Sequence, residues 1–565
     1  MSGEVPTLPE LFAGMGDLVV VRTGGDVSGG DVSGGDVSGG EIERRYSAAE
    51  VAELADQTQA GLRSLGLERG DRLAIWLPNG VEYIAVLWAA ARLGVVVVSI
   101  NTRFRSTEVA DIVGRSGARQ LVLDPSFLGI DFVGILSDVD PDQVPLLEGL
   151  VTLGERATDH RWPWPAVSFA ELCGHGVDTS DVSEPDMPYI VFTTSGTTRA
   201  PKLVLHLQSS TAAHAADLAS WFGRSALVAV PLCGVFGHTV MLGALGAGST
   251  QVMLPVFDGA TAAHAVERHG IETFHGSDEM IARMVEAAVE AAVEQPVDLT
   301  SLGPVGYARF NNALEDIPER AASAGLTAIG LYGMSEVHAL YAHRPPEPAD
   351  RVAVPGGQLV SPGAAARVAD PETNEVLGDG VDGELQLKGP SRFAGYLADG
   401  GAEIDHALTD EHMVDGWFRT GDLARMDGPN SFEYLARMGD VLRLGGFLVS
   451  PAEIEARLID HPSVEAAQVV AVDLVGGPRA VAFVTVARSG VSHDGVSHDG
   501  VPQRGAMSAE PFDEDAVRMF CRSGLAGYKV PARVVVIDEF PTTASANGTK
   551  IQKVRLREQA ALLFE

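Results

Sequence analysis

The feature that most constrains this chain is a regular exchange of two hydrophobic patterns. Residues 73–77, 95–100, 120–123 and 271–275 are short apolar runs of strand length, and Val95-Val96-Val97-Val98-Ser99-Ile100 is strongly β-branched. Between and around them, residues 47–65, 81–93, 260–269 and 279–293 carry the wider period of helices, with Ser47 and Ser106 placed to cap helices that follow them. Such alternation predicts an α/β protein with largely parallel sheets. The chain of 565 residues is too long for one core. A new strand and helix pattern starts after Arg437, so the expected division is a large N-terminal domain of α/β sheets over 1–436 and a smaller α+β C-terminal domain over 437–565. Asp-Val-Ser-Gly-Gly repeats within 24–40, and Ser-His-Asp-Gly-Val repeats within 489–505. Both segments read as low-complexity loops, not as calcium or metal sites.

Charge and cysteine content narrow the function. The formal net charge is −35, which argues against nucleic acid or an anionic membrane as a partner and requires a local Lys/Arg cluster to hold any anionic substrate. Three cysteines without metal-type spacing fit a reducing, cytoplasmic setting. No secretory signal and no run of membrane-spanning length is expected.

The chemistry is concentrated in a few loops. Thr193-Thr194-Ser195-Gly196-Thr197-Thr198-Arg199-Ala200-Pro201-Lys202 follows the apolar run 189–192. Small residues let backbone N–H groups turn inward around an anion, hydroxyls add donors, and Lys202 adds charge. This predicts a polyphosphate grip, although the Walker order is absent. Tyr332-Gly333-Met334-Ser335-Glu336 sets an aromatic that can stack on a base beside a hydroxyl and a carboxylate suited to Mg²⁺. Asp422, in Arg419-Thr420-Gly421-Asp422, suits the hydroxyls of a ribose. Arg437 and Asp440 precede Gly445-Gly446, and Pro541 to Lys553 forms a polar loop ending in lysines. Read singly, each is a surface turn with a charge.

Taken in order, these motifs resemble the adenylate-forming superfamily of acyl-CoA synthetases, peptide-synthetase adenylation domains and firefly-type luciferases, over roughly residues 45–560. The resemblance is nearest to acyl-CoA synthetases. It implies a large α/β N-terminal domain, a small mobile C-terminal domain, and a two-step reaction. A carboxylic acid and ATP give an acyl-adenylate and pyrophosphate, and coenzyme A then displaces AMP. By position, Thr194, Ser195, Gly196, Thr197, Thr198 and Lys202 would hold the β- and γ-phosphates and Tyr332 would stack on adenine. Ser335 stands where the family usually has Thr, Glu336 would hold Mg²⁺, and Asp422 and Arg437 would bind ribose. Lys550 would serve the first step, Gly445 and Gly446 would line the coenzyme A tunnel, and Gly439 would be the hinge.

Several positions depart from the family pattern. Arg199 and Leu203 replace glycines of the phosphate loop. Thr549 separates Gly548 from Lys550, which makes Lys553 a rival, and Lys550 is preferred because Lys-Ile-x-Lys-x-x-Leu-Arg follows in register. Gly234, Phe236 and His338 are assigned to the acyl pocket, where Gly234 leaves room for a medium- or long-chain fatty acid or an aromatic acid. Asp278 or Glu279 is expected to cap the helix after 271–275. The competing readings are an enzyme that loads a carrier protein and a non-catalytic binding relative. A homodimer is left open.

Overall fold

The computed structural model describes residues 6–23, 36–38, 41–154, 162–194, 201–291, 297–309, 314, 316–346, 351–352, 354–401, 403–438, 442–444, 447–449, 451–474, 477–486, 512–525, 527–545 and 548–564. Two sheets dominate the larger part. An eight-stranded sheet has at its centre the parallel strands Arg72–Trp76, Val96–Ser99, Gln120–Leu123 and Pro188–Thr193. A fifteen-stranded sheet runs parallel through Ser225–Val228, Thr250–Met253, Thr273–Ser277, Val305–Ala308 and Ala328–Tyr332, then turns antiparallel through Gly356–Leu359, Ser431–Arg437 and Trp417–Gly428.

The helices Val81–Leu93, Gln208–Leu218 and Val235–Gly246 are packed between the two sheets. One apolar cluster joins them to Leu73, Ile75, Val97 and Phe192 of the first sheet and to Ala226, Val228 and Met253 of the second. A helix with sheet on both sides must be apolar nearly all round. Val81–Leu93 meets that demand, with only Glu82 and Arg92 outside its buried set, and it stops at Gly94, whose φ of 66° suits glycine. The other face of the eight-stranded sheet is covered by Ser106–Ser116, which buries Trp76, Val98 and Ile100 with Val109 and Val113.

Several expectations are corrected at element ends. Ser47 does cap Ala48–Ser64 in a reciprocal box with Glu50. Ser106, expected to be a cap, is the first helical residue, and Glu108 accepts the backbone N–H of Arg105 instead. At the start of Asp278–Ala291, Asp278 Oδ1 accepts the N–H of Glu279 at 2.9 Å, in line with the expectation, and Ser277 Oγ accepts that of Met280. Residues 36–38 of the first repeat, expected as loop, form the strand Asp36–Ser38 paired with Glu41–Tyr46. The rest of that repeat and the whole second insertion lie outside the described residues.

The large sheet ends in sequence at Arg437. Beyond it, Leu442–Leu444 pairs with Phe447–Val449, and Val464–Leu474, Gly477–Val486 and Arg533–Val536 form a three-stranded sheet. Pro451–Ile459 and Glu514–Gly524 cover one side of it, around Ile454, Leu458, Val469 and Val517. Lys553–Leu562 packs Leu556 and Ala560 against Val470, Val481 and Phe483. The smaller α+β unit therefore has its own core.

Candidate active site

The strands on either side of the proposed phosphate loop pair as a hairpin. Pro188–Thr193 pairs antiparallel with Leu203–Leu207, and Thr194 N–H donates to the Lys202 carbonyl at 3.1 Å, which closes the base of the turn. A parallel crossover needs a dozen or more residues, and the nine between the strands are too few. Ser195, Gly196, Thr197 and Thr198, with Arg199, lie outside the described residues. Lys202 is described. Its Nζ lies 2.7 Å from Nε2 of His412 and 4.6 Å from the centre of the Tyr396 ring. Burial lowers its pKa, and the Glu336 charge opposes that shift.

Glu336 follows the strand Ala328–Tyr332 in a short turn, Ser335–Val337. Its Oε1 accepts a 2.8 Å hydrogen bond from the Tyr396 hydroxyl, and its carbonyl accepts from Phe393 N–H. Burial and then the Glu336 charge push the Tyr396 phenol far up, so it stays a donor. His206 Nε2 sits 2.7 Å from the Ser335 carbonyl. Gly333 is required for a local reason: a Cβ there would overlap the Ala339 carbonyl of the returning chain. His338 and Ala339 both hold positive φ, 58° and 56°, which non-glycine residues adopt at a cost.

The ribose-type group is also assembled. Asp422 accepts from Tyr332 Oη at 2.6 Å and from an Arg437 guanidinium nitrogen at 2.7 Å. The two strands that carry Asp422 and Arg437 pair these residues directly. Burial raises the Asp422 pKa, countered chiefly by Arg437. Burial likewise works against the Arg437 charge, and Asp422 more than offsets it, so Arg437 stays cationic. Each carboxylate oxygen keeps a second lone pair for a hydroxyl donor. The Tyr332 ring is nearly buried and meets Phe432 edge-on at 5.0 Å. Arg437 is near enough to Glu336 to feel its charge, which ties the Asp422 group to the Glu336–Tyr396–Lys202 group.

Among the described residues no three His, Cys, Asp or Glu side chains are arranged to hold a metal by themselves. That fits Mg²⁺, which is commonly bound by one or two carboxylates together with substrate phosphates. Glu336 supplies such an oxygen donor beside Lys202, so the residues suit the ion.

The acyl-pocket candidates converge near this loop. Gly234 precedes Val235–Gly246 and Phe236 is buried in its first turn. Thr239, one turn on, donates from Oγ1 to the His338 carbonyl at 2.8 Å. The sequence reading missed Tyr396, His412, His206, His214 and His238. Each meets its partner over a long separation, so no local spacing marks it.

In the smaller unit, Lys550 lies on Gly548–Ile551, opposite Thr543. Its side chain, Gly439, Gly445 and Gly446 lie outside the described residues. The rival Lys553 is held at 3.5 Å by Glu455, itself buried and accepting from Val469 N–H.

Comparison with known proteins accords with this geometry. The model of the AMP-binding enzyme family matches residues 37–397, and that of the AMP-binding enzyme C-terminal domain matches 453–547. A putative acyl-CoA synthetase, YngI, of Bacillus subtilis is 27% identical over 553 residues, covering 92% of this chain and 93% of its own. A 3-[(3aS,4S,7aS)-7a-methyl-1,5-dioxo-octahydro-1H-inden-4-yl]propanoyl:CoA ligase of Mycobacterium tuberculosis is 30% identical over 531 residues, covering 91% and 94%. The crystal structure of ATP-bound MatB from Rhodopseudomonas palustris has the same fold, with a TM-score of 0.73 at 23% identity over 92% of this chain and 95% of that one. No helix among the described residues is long and apolar enough to cross a membrane.

Proposed function

The chain belongs to the AMP-binding enzyme family, and from that premise we propose that it joins a medium- or long-chain fatty acid or an aromatic acid to coenzyme A through an acyl-adenylate. At the coarser level it is an ATP-dependent, AMP-forming acid–thiol ligase of the adenylate-forming superfamily. The observation that supports ATP-dependent activation is two neighbouring groups, Lys202–Tyr396–Glu336 and Arg437–Asp422–Tyr332, with Arg437 near enough to Glu336 to feel its charge. They bring two cations and two carboxylates near one another in a strongly acidic protein.

In the first step a carboxylate oxygen attacks the α-phosphorus. The bond from that phosphorus to the bridging oxygen breaks, and pyrophosphate leaves. In the second step the thiol sulfur attacks the acyl carbon, the carbon–oxygen bond to AMP breaks, and the thiol proton passes to solvent. Charge builds on phosphate oxygens in the first step, and fixed donors there lower the barrier. Lys202 and the 194–198 loop would take the β- and γ-phosphates. Glu336 would hold Mg²⁺, which would neutralise phosphate charge when bound. Tyr332 would lie against adenine, and Asp422 with Arg437 would take the ribose hydroxyls. Ser335 would supply a hydroxyl beside them.

We assign the carboxylate and α-phosphate contact to Lys550. The engagement of Lys553 by Glu455 supports that choice. Gly439 as hinge, Gly445 and Gly446 along the coenzyme A path, and a division into 1–436 and 437–565 complete the proposal. The end of the large sheet at Arg437 supports that division. Gly234, Phe236 and His338 are proposed to border the acyl group.

The test is pyrophosphate release from Mg-ATP over a panel of carboxylic acids, with and without coenzyme A. Turnover that needs both an acid and coenzyme A is the expected result. Acid-dependent release unchanged by coenzyme A would make a carrier protein the acceptor. No release with any acid would overturn the catalytic reading.

A further inference from the structure

Directly behind the Ser335–Glu336 turn four histidines meet. His206 comes from Leu203–Leu207, His214 from Gln208–Leu218, His238 from Val235–Gly246, and His338 follows the turn itself. All four are at most 1% exposed. The rings of His206 and His338 are 3.7 Å apart, and those of His214 and His338 are 5.6 Å apart and nearly parallel. His238 lies 5.3 Å from Phe192 and 6.1 Å from Tyr189. Only His214 and His338 stack, the other pairs being tilted or edge-on, and no metal arrangement exists among the described residues.

Hydrogen-bond partners fix two of the tautomers. A backbone carbonyl only accepts, so His206 must donate from Nε2 to Ser335, which leaves its Nδ1 a bare acceptor. The Thr211 hydroxyl gives its proton to the Leu207 carbonyl at 2.9 Å. It therefore accepts from His338 Nε2 at 3.1 Å, and His338 Nδ1 is likewise a bare acceptor. Neither Nδ1 has a partner, nor has either ring nitrogen of His238 or the hydroxyl of Tyr189. Burial keeps these rings uncharged, and His206 is pulled down to about 4 and His238 to about 3. Buried polar groups in folded proteins are almost always satisfied by protein, water or ligand.

We propose that the acid this enzyme activates carries a hydroxyl group that lodges among His206, His214, His238, His338 and Tyr189. The proposal rests on the reading that the protein adenylates a carboxylic acid. A hydroxyl both donates and accepts, so it can serve a bare Nδ1 and a neighbouring N–H or O–H together. An oxo group only accepts and leaves both Nδ1 atoms without donors. A methyl group strands the whole set, and sites built around buried polar groups reject such analogues strongly. The cluster adjoins the loop that carries the proposed acyl-pocket residue His338: His206 Nε2 holds the Ser335 carbonyl, and Thr239, next to His238 on its helix, holds the His338 carbonyl.

Matched acids test this with the full-length protein: decanoate, 9-oxodecanoate and 9-hydroxydecanoate, and 3-phenylpropanoate against 3-(4-hydroxyphenyl)propanoate. The readout is kcat/KM for pyrophosphate release. The hydroxy acid should exceed its alkyl or aryl partner by at least ~10-fold in one series, with the oxo acid between. His238→Phe should bring that ratio to within about 3-fold by removing one set of partners. If that variant does not fold, Tyr189→Phe should reduce the ratio in the same direction. Equal or better turnover of the unsubstituted acids would overturn the proposal while leaving the ligase reading intact. So would a ratio unchanged in a folded variant. No turnover of any acid would overturn both.

Discussion

His275 offers a clean measure of what burying a neutral imidazole does to this protein. It lies on Thr273–Ser277, accepts the Gly306 N–H through Nδ1 at 3.0 Å, and faces Phe222 edge-on. Burial, then the nearby His343, pull its pKa down from 6.5 to about 4. A histidine whose folded pKa is depressed stabilises fully above its unfolded pKa, and that contribution is lost as pH falls from 6.5 toward 4. At pH 5.5 the unfolded ring is about nine-tenths protonated and the folded ring is almost unprotonated, so lowering pH from 7.5 costs about 1.3 kcal/mol through this residue. His275→Asn keeps an acceptor for Gly306 and removes the titration. Urea unfolding of both proteins at pH 7.5 and 5.5 separates this term from the general effect of acid on a chain of net charge −35. The variant's stability should fall by about 1.3 kcal/mol less than the wild type's between the two pH values, whatever its absolute stability. Parallel losses would refute the reasoning, because His275 would then be as easily protonated folded as unfolded.

Tyr396→Phe strands Oε1 of Glu336, and kcat/KM for Mg-ATP in pyrophosphate release should fall about 10- to 100-fold with little change in melting temperature. Gly333→Ala forces the Ala339 backbone aside, and urea unfolding should show a loss of about 3 kcal/mol or more. Lys550→Ala should abolish most adenylation yet spare thiol transfer from a supplied acyl-adenylate. If Lys553→Ala gives that pattern instead, the assignment is reversed. Gly439→Pro should slow the thiol step more than the first, read by single-turnover assays of each half-reaction.

What could be read from sequence was local. The helix Val81–Leu93 was legible to the residue because an apolar run ends at a glycine in the left-handed region. The Ser47 cap was legible because both halves of its box lie within three residues. Ser106 misled because a neighbouring side chain, Glu108, made the decisive hydrogen bond. The apolar run 189–192 was legible as an extended segment before the loop, but its antiparallel partner Leu203–Leu207 was not singled out. In the site, Tyr332, Glu336, Asp422 and Arg437 were marked by clusters of chemistry within a few positions. Tyr396 and His412 were not, since their roles exist only once strands 60 and 210 residues distant are brought together. His206, His214 and His238 were hidden for the same reason: one buried histidine on an apolar face looks like core, and only the fold shows them together with His338.

The hairpin has a thermodynamic consequence. Lys202 immediately precedes its second strand and His206 lies four residues later, so one ribbon reaches the proposed nucleotide grip at one end and the Ser335 turn beside the proposed acyl site at the other. If ATP fixes the ribbon through Lys202, it also fixes the wall that the acid meets. Linkage then requires that whatever factor ATP adds to the affinity for the acid, the acid adds to the affinity for ATP. Titrating each ligand in the presence and absence of the other, with a non-hydrolysable ATP analogue, would measure that factor from both sides, and a factor of one would mean that the ribbon transmits nothing.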